Sequence, residues 1–61
     1  MTGKQLKHLR EAASLTQVEL ARLCGFRSGA SLISHWESGR RPIPDYAERL
    51  IRLTLQKRGG E

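Results

Sequence analysis

The spacing of apolar residues predicts helices along nearly the whole chain. Leu6, Leu9 and Ala13 recur at intervals of three and four residues, which is the period of a helix with one face turned inward. The same spacing returns in three later segments, whose apolar residues are Leu20 and Ala21, then Leu32, Ile33 and Trp36, and finally Ala47, Leu50, Ile51, Thr54 and Leu55. Leu53 lies off the last stripe and is expected to be exposed. The pattern therefore predicts four helices and no strand.

Capping signals set the expected starts of three helices. Thr2 precedes Gln5, Thr16 precedes Glu19 and Asp45 precedes Glu48, each three residues apart, and a hydroxyl or carboxylate followed by such a side chain is typical of a capping box. Glycines and prolines mark the expected ends and connectors. The predicted helices cover residues 2 to about 14, 16 to about 24, about 30 to 38, and 45 to about 57.

The second and third predicted helices form a pair joined by a turn. Leu15 and Leu20 stand at the positions of a hydrophobic staple. Gly25 stands where a helix commonly ends in a left-handed residue. Residues 26–31 form a turn rich in Gly and Ser, which is expected to set the two helices at an angle. We predict an all-α chain with one domain, residues 1–57, and a disordered tail, residues 58–61.

Composition narrows the class of protein. Of the 61 residues, 38% are hydrophobic, and no run of them approaches the roughly 18 residues of a membrane span. The polar, charged N-terminus lacks the apolar stretch of a signal peptide. Cys24 is the one cysteine, so it forms no internal disulfide, and it lacks the companions that a zinc site needs. We expect a cytoplasmic protein without a metal, in which Cys24 is a small buried hydrophobic residue and His8 is solvated.

Charge favours a polyanionic partner. Eleven Lys and Arg against six Asp and Glu leave a formal net charge of +5, and phosphate contacts gain affinity by releasing counterions. Solubility alone is the alternative explanation, since small domains often carry such a charge. No nucleophile, base and orienting group stand at a motif spacing, and no glycine-rich nucleotide loop is present. We therefore predict no enzyme, no cofactor and no small-molecule substrate.

Several motifs together resemble one family. The chain reads L-x-x-L-R from Leu6, then T-Q-x-x-L-A-x-x-x-G from Thr16, then I-S-x-W-E-x-G-x-R-x-P from Ile33. This order is similar to the Cro and phage-repressor helix-turn-helix family, called XRE-like, over about residues 6–55. The resemblance implies a compact four-helix repressor-like helix-turn-helix domain. It also implies a transcriptional regulator that binds double-stranded DNA with helix 30–38 in the major groove. This regulator is expected to be a repressor. The C-terminal half also resembles the DNA-binding parts of MqsA-like antitoxins.

The chain departs from the family in two places. The turn over residues 26–31 is longer than is usual in the family, at the point where base-reading side chains begin. The fifth helix that the family often has is absent, which leaves an apolar flank that a second copy could cover. We therefore predict a homodimer through the fourth helix, with Leu53 and Leu55 as the contact residues. A single small module binds weakly, and a dimer on two half-sites gains specificity.

The resemblance also implies a set of DNA-binding residues. Gln17 would meet a phosphate at the start of the second helix, and a solvated residue is the alternative. His35 would donate to guanine, and Ser31 and Ser34 would discriminate bases weakly; an ordinary exposed histidine is the alternative for His35. Arg27, in the long turn, would contact guanine or a phosphate, and Ser28 beside it is a further candidate. Arg40 and Arg41 would contact phosphates. The alternative for these arginines is a surface position without a DNA contact.

Two other residues are implied to be structural. Arg10 and Glu37 are expected to form an ion pair that sets the angle of the third helix. Such a pair adds little net stability, whereas removal of one partner costs several kcal/mol. Trp36 lies on the inner stripe, where an aromatic side chain packs in the core.

A rival interpretation is a protein-interaction module or an antitoxin-type adaptor on the same scaffold. It predicts an exposed apolar patch that lies away from the basic face and is not self-complementary. RNA binding is a more distant alternative, because the chain lacks the aromatic platform that stacks single-stranded bases.

Overall fold

The fold is all-α, as predicted. A computed structural model describes residues 1–59, with side chains described for residues 1–57. The helices are α1 (Gly3–Ala12), α2 (Gln17–Cys24), α3 (Ala30–Glu37) and α4 (Asp45–Gly59). α3 packs against α1 and α2, and α4 packs against α2. Among these described residues there is no strand, and no helix is long and apolar enough to span a bilayer.

The first two capping boxes are confirmed. The backbone N–H of Gln5 donates to Oγ1 of Thr2 at 3.1 Å, and the backbone N–H of Thr2 donates to Oε1 of Gln5 at 2.8 Å. Thr16 and Glu19 repeat the arrangement at 3.0 and 2.9 Å. Each box satisfies backbone donors that would otherwise have no partner in the first turn. Local sequence therefore defines the starts of α1 and α2.

The third predicted capping box, at Asp45, was wrong. α4 already includes Asp45, and its first turn is closed by the backbone N–H of Glu48, which donates to the carbonyl of Pro44 at 3.0 Å. Pro44 is therefore the N-cap residue and Glu48 the fourth residue of the helix, so Asp45 and Glu48 do not stand at the two positions of a capping box. The Glu48 carboxylate instead accepts from the α-amino group of Met1 at 2.7 Å and from Arg52 at 3.0 Å.

Two helix ends also differ from the predicted ones. α1 ends at Ala12, not Ser14, because Ser14 adopts a left-handed conformation (φ 58°). The backbone N–H of Leu15 then donates to the carbonyl of Arg10 at 3.1 Å, which closes the helix as a Schellman motif. At the other end of the chain, α4 includes residues 58 and 59, which were predicted to belong to the tail. Residues 60 and 61 of that predicted tail lie outside the described residues.

The core is small, mostly aliphatic and shared by all four helices. The staple residues Leu15 and Leu20 are both buried, as predicted. Cys24 is half-buried against the core rather than fully buried, whereas its neighbour Leu23 is 46% exposed. The buried residues are Leu6, Leu15, Leu20, Ala21, Ile33, Trp36, Ala47 and Ile51.

A close contact joins the start of α1 to the end of α3. A methyl group at Gly3 would lie against the carbonyl oxygen of Trp36 and 2.6 Å from that of Glu37. These distances leave no room for a side chain, so only glycine permits this approach. The contact brings the positive end of one helix dipole to the negative end of another.

Candidate nucleic-acid interface

α3 separates a buried face from an exposed face. Ile33 and Trp36 are 0% and 3% exposed and anchor the helix in the core. On the opposite side Ser31, Ser34 and His35 are all exposed, as the helical spacing of the sequence predicted. At 100° per residue these three side chains fall within one third of the helix circumference. α3 thus presents a row of two hydroxyls and one imidazole to solvent.

The turn before α3 is held by an aromatic contact. Phe26 meets Trp36 edge-to-face, with ring centroids 5.3 Å apart and an interplanar angle of 83°. The backbone N–H of Phe26 also donates to the carbonyl of Ala21 at 2.9 Å, across the left-handed Gly25. The long turn is therefore anchored at its start, and its next residues, Arg27 and Ser28, are exposed beside the first turn of α3.

Gly29 completes that turn in a conformation that favours glycine strongly. Its dihedral angles are φ 62° and ψ −145°, a region that residues with a Cβ avoid. α3 then begins at Ala30, the residue predicted from the sequence, with no side chain capping its first turn. The lengthened turn thus ends at Gly29, and Ser31 is already helical.

The chain that follows α3 holds the backbone of Arg40 and Arg41 beside the last turn of the helix. Gly39 adopts a left-handed conformation (φ 82°), and its N–H donates to the carbonyl of Trp36 at 3.2 Å. The carbonyl of His35 accepts the backbone N–H of Arg40 at 3.0 Å and that of Arg41 at 3.4 Å. This Schellman motif fixes the backbone of both arginines against the last turn of the helix. Their exposed guanidinium groups therefore start from an ordered position.

A polar network ties α3 to the two helices beside it. Arg10 donates to the Glu37 carboxylate through Nε at 2.7 Å and Nη2 at 3.2 Å. Its Nη1 donates to the carbonyl of Leu15 at 2.8 Å. Gln17 Nε2 donates to the same carboxylate at 3.1 Å. The ion pair that the family resemblance implies is thus present, and it is one part of a larger network.

Burial makes this ion pair more than a surface contact. The Arg10 and Glu37 side chains are 12% and 6% exposed. The hydrogen bond to Glu37 raises the pKa of Arg10 above its ordinary value, against the opposing effect of burial. Arg10 therefore stays charged at neutral pH, and the fork of its guanidinium holds the carboxylate in two directions. The network fixes the last turn of α3 relative to α1 and α2.

Gln17 lies at the start of α2 and is half-buried. One hydrogen of its amide is used by Glu37, so the second remains as a donor, beside the backbone N–H groups of the first helical turn. The sequence predicted a phosphate ligand at this residue and did not predict its bond to Glu37. The bond joins residues 20 apart in the chain, and no local pattern signals it.

Two further residues near the site were missed. Gly3 contacts the end of α3, and a glycine in the first turn of a helix was the available signal, since alanine is the better helix former there. Lys7 stands one turn after Gly3 and one turn before Arg10, and it is exposed. Because both neighbours on this side of α1 contact the last turn of α3, Lys7 adds a cation beside that turn.

We define the α3 surface as the predicted DNA-binding residues. Within the described part of the chain, Met1 pairs with Glu48, Arg10 with Glu37 and Arg52 with Glu48, and none of these pairs includes an arginine of this surface. No group of three metal-binding side chains occurs there either. The members of the α3 surface are Gln17, Arg27, Ser28, Ser31, Ser34, His35, Arg40 and Arg41.

Comparison with known families agrees with this geometry. Residues 3–55 match the family described as helix-turn-helix domain, and the chain belongs to that family. The matched range contains α1, α2 and α3 and most of α4. No curated protein and no solved structure matched the chain. A helix-turn-helix domain is a DNA-binding class of domain, in which the second helix of the pair enters the major groove.

Proposed function

We propose that this protein binds double-stranded DNA with α3 in the major groove and acts as a transcriptional regulator of the Cro and phage-repressor (XRE-like) type. The observation that carries the proposal is the exposed row of Ser31, Ser34 and His35 on a helix whose opposite face is anchored in the core. An α-helix with its side chains is about 10–12 Å in diameter, which fits a major groove about 12 Å wide.

The exposed row supplies weak and strong base contacts. The His35 imidazole donates to the guanine N7 or O6 edge, whereas the two serine hydroxyls both donate and accept and so discriminate bases poorly. Arg27, in the turn before α3, has the planar fork that recognises guanine in two directions. Sequence preference is therefore expected to depend on His35 and Arg27 more than on the serines.

Phosphate contacts would flank this row. Arg40 and Arg41 follow α3 on an ordered backbone, and Gln17 with the N-terminal N–H groups of α2 forms a donor site of the kind that binds phosphate. Lys7 extends the cationic edge on the side of α1. These contacts set the position of the protein on the duplex, and the base contacts set its sequence preference.

Among the possible modes of regulation, repression needs the fewest additional properties of the protein. Occupying a site blocks access to it and needs no catalytic group, so the proposal includes no enzymatic activity, cofactor or small-molecule substrate. The cytoplasmic location and the similarity to MqsA-like antitoxins stay predictions.

The first experiment is a selection of bound sites from random duplexes, followed by titration at several salt concentrations. Arg40→Ala is expected to weaken binding to all sequences alike and to lower the salt slope by about 1. His35→Ala is expected to change base preference and to leave the salt slope unchanged. Arg22→Ala, an exposed arginine on the outer side of α2, is the matched control and should change neither quantity.

Two results would contradict the proposal. The first is binding to duplex DNA that does not weaken as salt rises, since phosphate contacts release counterions. The second is a loss of sequence preference in Arg40→Ala with none in His35→Ala, which would place the DNA on another face. Tighter binding to single-stranded RNA than to duplex DNA would favour the RNA alternative.

The rival role as a protein adaptor predicts an apolar patch away from the basic face. Tyr46 and Leu53, on α4, are 68% and 56% exposed, so an exposed apolar surface exists. α4 packs against α2, and neither Tyr46 nor Leu53 is a member of the α3 surface.

A further inference from the structure

A groove with a basic rim lies between α1 and α4. α1 packs on α3, and α4 packs on α2, so a space remains between the first and the last helix. The groove has a volume of about 350 Å³ and is lined by Lys4, Gln5, His8 and Leu9 from α1 and by Arg52 from α4. We call these residues the α1–α4 groove.

The floor of the groove is a leucine that the core does not use. Leu6 is fully buried, whereas Leu9, which the spacing places on the same inner stripe, is half-buried. Within the described part of the chain, Leu9 is not among the apolar residues that pack against the core. It lines the groove instead, so an apolar side chain of a ligand would gain free energy by covering its exposed surface.

The rim of the groove carries positive charge. Lys4, His8 and Arg52 are exposed, and none of the described residues that line the groove is acidic. Arg52 donates to Glu48 through Nε at 3.0 Å, which leaves the donors of its two Nη atoms for a ligand. Asp45 and Glu48 line a neighbouring groove that shares Arg52 with this one. The α1–α4 groove thus combines two cations and an imidazole with an apolar floor.

We propose that the α1–α4 groove binds an acidic segment of another protein. An apolar side chain of the segment covers Leu9, and its Asp or Glu carboxylates meet Lys4 and the Nη atoms of Arg52, whose fork matches both oxygens of a carboxylate. Gln5 uses Oε1 in the capping box of α1 and keeps its amide donors for a backbone carbonyl of the segment. A small molecule is a poorer occupant, since such ligands bury roughly 70–90% of their surface and this groove has an exposed rim.

An acidic peptide also fits this groove better than a second stretch of DNA does. Phosphates gain nothing from covering Leu9, and Asp45 and Glu48 in the neighbouring groove would repel a continuous phosphate backbone. No member of the α3 surface lines the α1–α4 groove, and neither do the exposed apolar residues Tyr46 and Leu53. The proposed partner therefore uses different residues from those proposed to bind DNA.

Selection of binders from a library of random displayed peptides, on the whole protein and without DNA, tests the proposal. We expect the enriched peptides to combine Asp or Glu with a large apolar residue. Titration of a labelled enriched peptide should give a dissociation constant that rises at least about tenfold in Lys4→Glu. Lys57→Glu is the matched control, because it makes the same change in net charge at an exposed lysine of α4 outside the groove, and it should have little effect.

Folding does not confound this comparison. Lys4→Glu places an acid in the first turn of α1, where the helix dipole favours negative charge, and circular dichroism checks the helix content. Leu9→Gln is the second variant, which should weaken peptide binding and leave duplex binding unchanged. Amide chemical shifts, recorded as the peptide is added, should change most at the residues of the α1–α4 groove.

Four results would overturn the proposal. They are a lack of acidic residues in the enriched peptides, an equal effect of Lys4→Glu and Lys57→Glu, the largest shift changes on the α3 surface, and a much greater loss of duplex binding in Lys4→Glu than in Lys57→Glu. The last result would show that DNA occupies the groove. Because the selection and the peptide titrations contain no DNA, their failure would leave the DNA-binding proposal intact.

Discussion

Glu37 has the most connected side chain of the α3 region. Its carboxylate accepts three hydrogen bonds, two from Arg10 and one from Gln17. One residue on α3 thus joins the helix to both of its neighbours. Loss of this carboxylate would leave a guanidinium nearly buried and without its counter-charge, which costs several kcal/mol. The angle of α3 therefore depends on a buried charge and not on apolar packing alone.

Gln17 has two expected contacts, one to Glu37 and one to a DNA phosphate. We expect Gln17→Ala to weaken binding by about tenfold or more, since a hydrogen bond to a charged group such as a phosphate contributes about 1.5–3 kcal/mol. The loss should be equal on a random duplex and on a selected site. The salt slope should stay unchanged because the amide carries no charge, whereas it falls in Arg40→Ala. Fluorescence anisotropy at several salt concentrations measures both quantities.

A loss confined to the selected site would argue against the phosphate contact. It would show that Gln17 acts only through Glu37, by holding α3 in position. The thermal stability of Gln17→Ala separates this outcome from partial unfolding.

The ends of the helices decide how the elements meet. Gly25 and Gly39 close α2 and α3 in left-handed conformations, which glycine adopts without strain. Ser14 closes α1 in the same conformation (φ 58°), at a cost of about 1–2 kcal/mol for a residue with a Cβ. Each of these closures directs the chain to the next contact: Leu15 into the core, Phe26 onto Trp36, and the arginines along α3.

Replacement of Gly3 by a residue only one methyl group larger should lower the stability of the fold. Gly3→Ala adds a methyl group that favours helix by about 1 kcal/mol. The methyl would nevertheless overlap two backbone carbonyls of α3, and overpacking of this kind costs about 1–3 kcal/mol. We expect a net decrease in the free energy of unfolding, measured by urea denaturation.

Lys4→Ala is the control for this substitution, since Lys4 is the next residue of α1 and is exposed. It should change stability little. A stabilised Gly3→Ala protein would mean that α1 and α3 do not approach as closely as described.

In the whole molecule, one carboxylate joins the beginning of the chain to its last helix. Glu48 accepts from the α-amino group of Met1, 47 residues away, and from Arg52. These hydrogen bonds lower the pKa of Glu48 below its ordinary value. Glu37 likewise pairs with Arg10, 27 residues away, so both carboxylates join distant parts of the chain.

Stability should therefore depend on acid pH through Glu48. Because its pKa is lowered in the folded state, its contribution is present above the unfolded pKa of about 4.3 and is lost as pH falls through the folded pKa. We expect the melting temperature to fall on acidification below pH ~5, and to fall less steeply in Glu48→Gln. Glu11→Gln, an exposed residue of α1, is the control. An unchanged slope in Glu48→Gln would show that these bonds do not form in solution.

Local patterns were sufficient to predict the four helices, the capping boxes of α1 and α2, the staple and the exposed row on α3. The reason is that periodicity, caps and left-handed glycines act between residues a few positions apart. The same reasoning failed at Asp45, because α4 already includes Asp45 and the Glu48 carboxylate bonds to Met1 and Arg52 instead of a helix cap.

Contacts between distant residues were decided by the tertiary structure. Gly3 meets α3 and Gln17 meets Glu37, whereas the inward Leu55 and the exposed Leu53 follow the helical pattern that the sequence already showed. The contacts of Gly3 and Gln17 depend on how whole helices pack, and packing depends on shape and charge brought together from separate parts of the chain. A helical pattern shows which face is apolar, but only the assembled helices show which neighbour that face meets.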